Sequence, residues 1–187
     1  MTASRYEPDA VFEPASAGTR VRVATMAALV VGALIPLVEL IVMLNTRQPP
    51  YWLPHFLPHW PALLAAGVAP VALVVVWLVS RLQRYRLTNG EVRVELRLRT
   101  VRFPLAGLVS AVPDRTALRG ARKIAGNDGL GAVTGRFRSR QLGRFRAYLT
   151  DVEHAVVLRW PDRCLVISPQ HHSLFVEAVR RRAGLPR

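Results

Sequence analysis

Two long apolar runs dominate the first half of the chain. Residues 24–44 form a stretch of 21 whose only charge is Glu39, and residues 62–79 form a stretch of 18 with no charge. At about 1.5 Å of rise per residue these reach about 31 Å and about 27 Å, close to a hydrocarbon core of about 30 Å. A buried helix in so short a chain would carry a polar stripe on one side. The pattern therefore predicts two transmembrane helices, about 24–44 and 62–80, with a connecting loop at 45–61. The preceding segment 1–22 reads as a tail; it is too long, and with Glu7, Asp9 and Glu13 too acidic, to be the basic lead of a signal peptide.

The loop holds Pro49, Pro50, Tyr51, Trp52, Pro54, Pro58, Trp60 and Pro61, a composition suited to a non-helical connection at a membrane–water interface. His55 and His59 are four apart, but the prolines beside them argue against the helix that would make them a metal pair. Pro36 and Pro70 predict kinks. Glu39 is the one intramembrane carboxylate; near the outer end of its helix it is read as protonated or paired, with an ion or proton pathway as the other reading.

After residue 80 the periodicity changes. Tyr85 to Leu87 leads into Asn89-Gly90, a strong hairpin-turn pair. Val92, Val94, Leu96 and Leu98 then alternate with Glu91, Arg93, Glu95 and Arg97, which predicts a strand with one buried face. Parity switches to Val101, Phe103 and Leu105, so a turn or bulge is expected near Arg99-Thr100. Further strand-like stretches follow at 145–150, 155–160 and 164–167. A closing helix is expected from Ser168 as N-cap and Pro169, with Leu174, Phe175, Ala178 and Val179 as its apolar stripe. Arg180, Arg181 and Arg182 fall in its last turn, and Gly184 and Pro186 end it. The sum is six or seven short strands closed by one helix, an α+β or small-barrel domain over 83–187.

Charge sharpens this division. The 187-residue chain carries 25 arginines and one lysine against 12 acids, a net charge of +14. Residues 81–187 hold 22 of the 26 basic and eight of the 12 acidic residues, hence the whole net charge. Arg20 and Arg22 precede the first helix and Arg81, Arg84 and Arg86 follow the second, while the loop has only Arg47. The positive-inside rule puts both termini in the cytoplasm and the loop outside, a multi-pass protein of the inner, cytoplasmic membrane. With half the residues apolar, disorder is excluded.

Candidate chemistry is sparse. Gly126, Gly129, Gly131, Gly135 and Gly143 make a glycine-rich region, but Arg136-Phe137 stands where a phosphate-binding loop needs Lys-Ser or Lys-Thr. Gly129, Gly131 and Gly135 are one residue too widely spaced for a dinucleotide fingerprint. Tight turns and close backbone approaches are the expected use of these glycines. The lone Cys164 sits in an apolar run and is read as core. His171 and His172 are read as surface residues. Neither a catalytic constellation, a metal site nor a cofactor is expected, so the protein is not read as an enzyme.

Several of these stretches resemble a family. They are Gly129-Leu130-Gly131, Gly135-Arg136-Phe137-Arg138, Leu142-Gly143, Tyr148-Leu149-Thr150-Asp151, and Val166-Ile167-Ser168-Pro169 with Phe175. The chain over about 83–183 is similar to the bacterial pleckstrin-homology-like (PH-like) domains, of the type that carries two N-terminal membrane spans. The pattern departs at Ala132 and Val133, where the family often has a Gly pair and an aromatic. The resemblance implies a bent seven-stranded barrel capped by the last helix and a binding role of unspecified ligand.

Arg136, Arg138 and Arg140 alternate along one segment, and Arg144 and Arg146 continue the spacing. Same-parity arginines share one face of an extended chain. This strip is the candidate ligand face, directed at anionic lipid headgroups; the bland alternative is a solvated surface. The favoured function is a membrane-anchored adaptor or scaffold, with the bilayer, anionic lipids or an unidentified membrane protein as partners. An accessory subunit of a transport or envelope complex is the alternative. Nucleic acid is a more distant partner, because only Phe137, Phe145 and Tyr148 interleave the charges.

Overall fold

The computed structural model describes residues 8–45 and 60–186. The chain order is β1 (Ala10–Phe12), α1 (Thr19–Asn45), α2 (Trp60–Ser80), β2 (Leu82–Leu87), β3 (Glu91–Leu96), β4 (Thr100–Pro104), β5 (Ser110–Pro113), β6 (Arg122–Asp128), β7 (Val133–Ser139), β8 (Gly143–Leu149), β9 (Val156–Arg159), β10 (Cys164–Ile167) and α3 (His172–Ala183).

The strands form two sheets, one of four in the order β1-β2-β3-β4 and one of six in the order β5-β9-β10-β8-β7-β6. This corrects the expected seven-stranded antiparallel barrel. The Pro161-Asp162 turn folds β10 back against β9, and β10 fills the place between β9 and β8, running parallel to β8. The small sheet follows its sequence pattern. Tyr85, Leu87, Val92, Val94, Leu96 and Phe103 face inward and are buried, while Arg84, Arg86, Glu91, Arg93 and Glu95 face out. The parity switch after Leu96 is a tight turn closed by the Leu96 N–H donating to Arg99 C=O (2.8 Å).

The six-stranded sheet has two apolar faces. Tyr148, Val156, Leu158, Leu165 and Ile167 pack toward the small sheet and α3. Val133, Phe137, Phe145, Leu149 and Val166 pack on the other side, beneath Ala117, Leu118 and Val21 of α1. A sheet covered on both faces reads as short continuous apolar runs, as 156–158 and 164–167 do. Cys164 belongs to this second cluster, and burial pushes its thiol pKa up to about 11, as expected of a core residue.

Three expectations change. The tail is not a free appendage: β1 pairs antiparallel with β2, Ala10 opposite Leu87 and Phe12 opposite Tyr85, and the Phe12 ring meets Phe175 edge-on at 5.0 Å. The closing helix begins at His172 rather than next to Ser168. Ser168 is fully buried and its hydroxyl accepts from Thr150 N–H (2.9 Å) and Asp151 N–H (3.3 Å), so it is committed to the end of β8 and not to a helix cap. Leu174 lies outside the stripe and is exposed; Phe175, Val176, Ala178 and Val179 make the buried side. At the other end Gly184 caps α3 in the left-handed conformation (φ 67°), as expected.

The Thr-Asp and Ile-Ser-Pro motifs form one buried latch. The Tyr85 hydroxyl donates to Tyr148 C=O (2.7 Å) and accepts from Ser168 N–H (3.0 Å), and burial raises its pKa well above the ordinary tyrosine value against the smaller opposing effect of the Ser168 contacts. Thr150 Oγ1 donates to Ala15 C=O, the Ala15 N–H donates to Ser168 C=O (2.8 Å), and the Gly18 N–H donates to Thr150 C=O (3.0 Å). These bonds fix the chain as it enters α1.

Among the described residues, one helical segment, Thr19–Val38, is long and apolar enough to cross a membrane, and Pro70–Ser80 is a shorter apolar helix. On those residues the expected pair of spans is reduced to one. Both helices continue through their prolines, Pro36 and Pro70. Glu39 lies on α1, its side chain outside the described residues, and His55 and His59 also lie outside them.

Candidate anionic-ligand groove

The β7–β8 hairpin places the predicted arginines in cross-strand register. Arg136 stands opposite Arg146, and Arg138 opposite Arg144. On the other side of β7, Arg122 of β6 stands opposite Arg138, so three arginines lie in one row across three strands. Phe137, Phe145 and Ala147 alternate with them and point into the core, which is why the arginines share the opposite face. Arg140 sits in the turn beyond β7, exposed at the end of the strip.

Like charges directly opposite each other in a sheet destabilise it by a few tenths of a kcal/mol to about 1 kcal/mol per pair. The small sheet shows how this chain offsets such pairs elsewhere. There Arg86 faces Arg93, but Glu95 lies 3.2 Å from Arg86 and 3.1 Å from Arg84, and Glu91 pairs with Arg93. No described acid does this for the strip. Asp128 is taken by Arg20, Asp151 by His154, and Glu153 lies beside Arg115. Among the described residues Arg136, Arg138 and Arg144 have no ion pair, and Arg146 has only the Phe103 ring, 6.0 Å from its guanidinium.

A groove of about 600 Å³ opens where this face meets the edge of the small sheet. Arg136, Arg144 and Arg146 line it from β7 and β8, joined by Arg102 and Phe103 from β4 and by Arg163. Asp162 is its one acid, and the hydrogen bond from Arg163 Nε (3.1 Å) holds that carboxyl below the usual range. Five guanidinium groups around an aromatic floor suit a phosphate or a cluster of carboxylates, which bind arginine through paired N–H···O contacts. Of the predicted residues, Arg136, Arg144 and Arg146 come together here; Arg138 lies beside Arg144, and Arg140 stands at the turn. Sequence reading missed Arg102 and Arg163, which reach the groove from the other sheet and from the β9–β10 turn. Only the three-dimensional pairing of the sheets brings them in.

The strip also has a direction. The β6–β7 turn is clasped by the helices: the Thr25 hydroxyl donates to Gly129 C=O (3.1 Å) and accepts from Gly131 N–H (2.9 Å), and Arg20 binds both oxygens of Asp128. A Cβ on Gly131 (φ 77°) would lie 2.9 Å from the Trp77 ring, so a close approach dictates glycine there. From this clasp β7 runs seven residues outward, about 20 Å at about 3.3 Å per residue. Arg138, Arg140 and Arg144 therefore stand at the end of the domain away from the helices.

A two-layer sandwich of this topology closed by one C-terminal helix is a PH-like fold. The model of the bacterial PH domain family matches residues 83–183, more than half of the chain, and the chain belongs to that family. Comparison with curated proteins gives no match. The matched region leaves out β1 and the Ala15 contacts, which the structure adds to the domain.

Proposed function

We propose that this protein is a two-span membrane protein that holds a PH-like binding module on the cytoplasmic side, where it acts as an adaptor rather than a catalyst. The two-span reading is supported by chain geometry. Because β1 pairs with β2, and Ala15 and Gly18 bond to Ser168 and Thr150, the chain before α1 and the chain after α2 are on one side. A chain that leaves through α1 and returns to the same sheet crosses an even number of times. The second crossing falls to α2, 21 residues without a charged side chain. The excess of arginine on the domain side supports a cytoplasmic placement.

The observation that carries the binding role is the row of unneutralised arginines beside the groove. Its ligand is an anionic group approaching from the water, best supplied by an acidic segment of a partner protein, since the strip points away from the helices. The test uses the full chain in discs of neutral lipid and a fluorescent oligoglutamate peptide. Binding that weakens with salt is expected, with a loss of more than about tenfold in R136Q/R144Q/R146Q, the equivalent of about 1.4 kcal/mol or more. Equal binding by the triple variant would end the proposal. Competition by phosphatidylglycerol placed in the same discs would transfer the groove to lipid headgroups.

A further inference from the structure

We infer that the β3–β4 turn is a membrane-contact finger, in which Leu98 enters the headgroup–acyl boundary and Arg97 and Arg99 hold headgroup phosphates. This surface is separate from the groove, and it rests on the reading that α1 and α2 cross a bilayer.

The argument begins with exposure. Leu98 is 70% exposed, more than any other described large hydrophobic side chain, those of the two apolar helices included. A hairpin turn in a water-soluble domain has no use for leucine at its tip, where polar turn residues cost nothing to hydrate. Its neighbours Arg97, Arg99 and Thr100 are exposed as well. Arg97 and Arg99 have no ion pair among the described residues, unlike Arg84, Arg86 and Arg93 of the same sheet.

Position supplies the second, independent observation. Leu82 pairs with Leu96, and the Arg97 N–H donates to Arg81 C=O (3.0 Å). Arg81 is the first residue after α2, and its guanidinium lies 4.8 Å over the Trp77 ring one turn earlier. A tryptophan followed by arginine at a helix end is the arrangement found at the membrane–water boundary. The turn is thus hydrogen-bonded at the level where α2 leaves the bilayer. The β6–β7 turn is braced against Thr25 and Trp77, so the domain cannot swing the finger away without breaking this clasp as well. The charges match the occupant: the cytoplasmic leaflet is anionic, Arg97 and Arg99 flank the apolar tip, and Arg81 is joined to Arg97 through the backbone.

The experiment uses the full chain in vesicles of phosphatidylcholine with phosphatidylglycerol. The native Cys164 is buried and resists labelling, so L98C can take an environment-sensitive fluorophore alone. V109C is the control. Val109 is 61% exposed, but it lies at the far end of β9, bonded to Arg159. The L98C probe is expected to shift to the blue and to be quenched by lipids brominated on their acyl chains, while the V109C probe stays water-like. R97Q/R99Q should abolish the dependence of the L98C shift on phosphatidylglycerol. Identical, water-like emission at both sites, in protein that resists alkaline extraction, would overturn the finger and leave the two-span reading intact. Alkaline release of the whole chain would remove the two-span reading, and the finger with it.

Discussion

Arg20 in the first turn of α1 grips both carboxylate oxygens of Asp128 at the tip of the β6–β7 hairpin, at 2.8 and 3.0 Å. The pair is partly exposed, so its own contribution to stability is small, a few tenths of a kcal/mol to about 1 kcal/mol. Its importance is geometric, because it stands beside the two hydrogen bonds of Thr25 and the Trp77 contact with Gly131. Together these join a helical pair to a sheet through a single turn.

Thr25→Val keeps the shape of the side chain and removes both hydrogen bonds, leaving Gly129 C=O and Gly131 N–H unmatched. The expected loss is about 1–3 kcal/mol of local stability. Hydrogen exchange should report it as faster exchange at residues 129–131, with the β2–β3 hairpin unchanged. Equal protection in both proteins would show that the clasp does not depend on this hydroxyl.

Gly135 holds φ at 135° and faces Gly126 across the β6–β7 pair, with its Cβ position 2.8 Å from Gly126 Cα and against the Ala125 carbonyl. Gly135→Ala should cost on the order of 2 kcal/mol or more from strain and contact combined. Thermal unfolding of the full chain in detergent checks this; an unchanged midpoint would contradict the close approach.

Arg138 has an arginine opposite it on both sides, Arg122 and Arg144. Arg138→Gln is therefore expected to stabilise the free protein, by about 0.5 kcal/mol at low salt, because two like-charge pairs are relieved. The gain should shrink as salt screens the row. A destabilised variant would mean that the arginines are neutralised by something already bound.

Alkaline pH should weaken the fold through Cys164. Its folded pKa is raised by burial from 9.0 to about 11. Above pH 9 the unfolded thiol loses its proton while the folded one keeps it, so stability present below 9 falls as pH rises toward about 11. Cys164→Ala should remove this part of the alkaline slope. Tyr85, whose pKa is also raised, adds a further loss above about pH 10 that Cys164→Ala leaves in place.

Local pattern made much of the domain legible. Asn89-Gly90 and the alternation from Val92 to Leu96 define β2 and β3, and the periodic arginines of 136–146 define the exposed face of β7 and β8. What failed was non-local. Ala10–Phe12 is a strand only because β2 offers it an edge; three residues carry no period of their own. Ser168 resembles a helix cap in isolation, and its actual partners are amides at the end of β8. The groove needed Arg102 and Arg163, which no spacing along the chain connects to Arg136.

The first strand is synthesised before the two apolar helices and its partner after them. Phe12, Ala15 and Gly18 are therefore made before Tyr85, Thr150 and Ser168, the residues that receive them. The sandwich is completed only when chain from both sides of the apolar helices is joined: without Ala10–Phe12 the outer edge of β2 stands open and the Phe175 ring loses its edge-on partner Phe12.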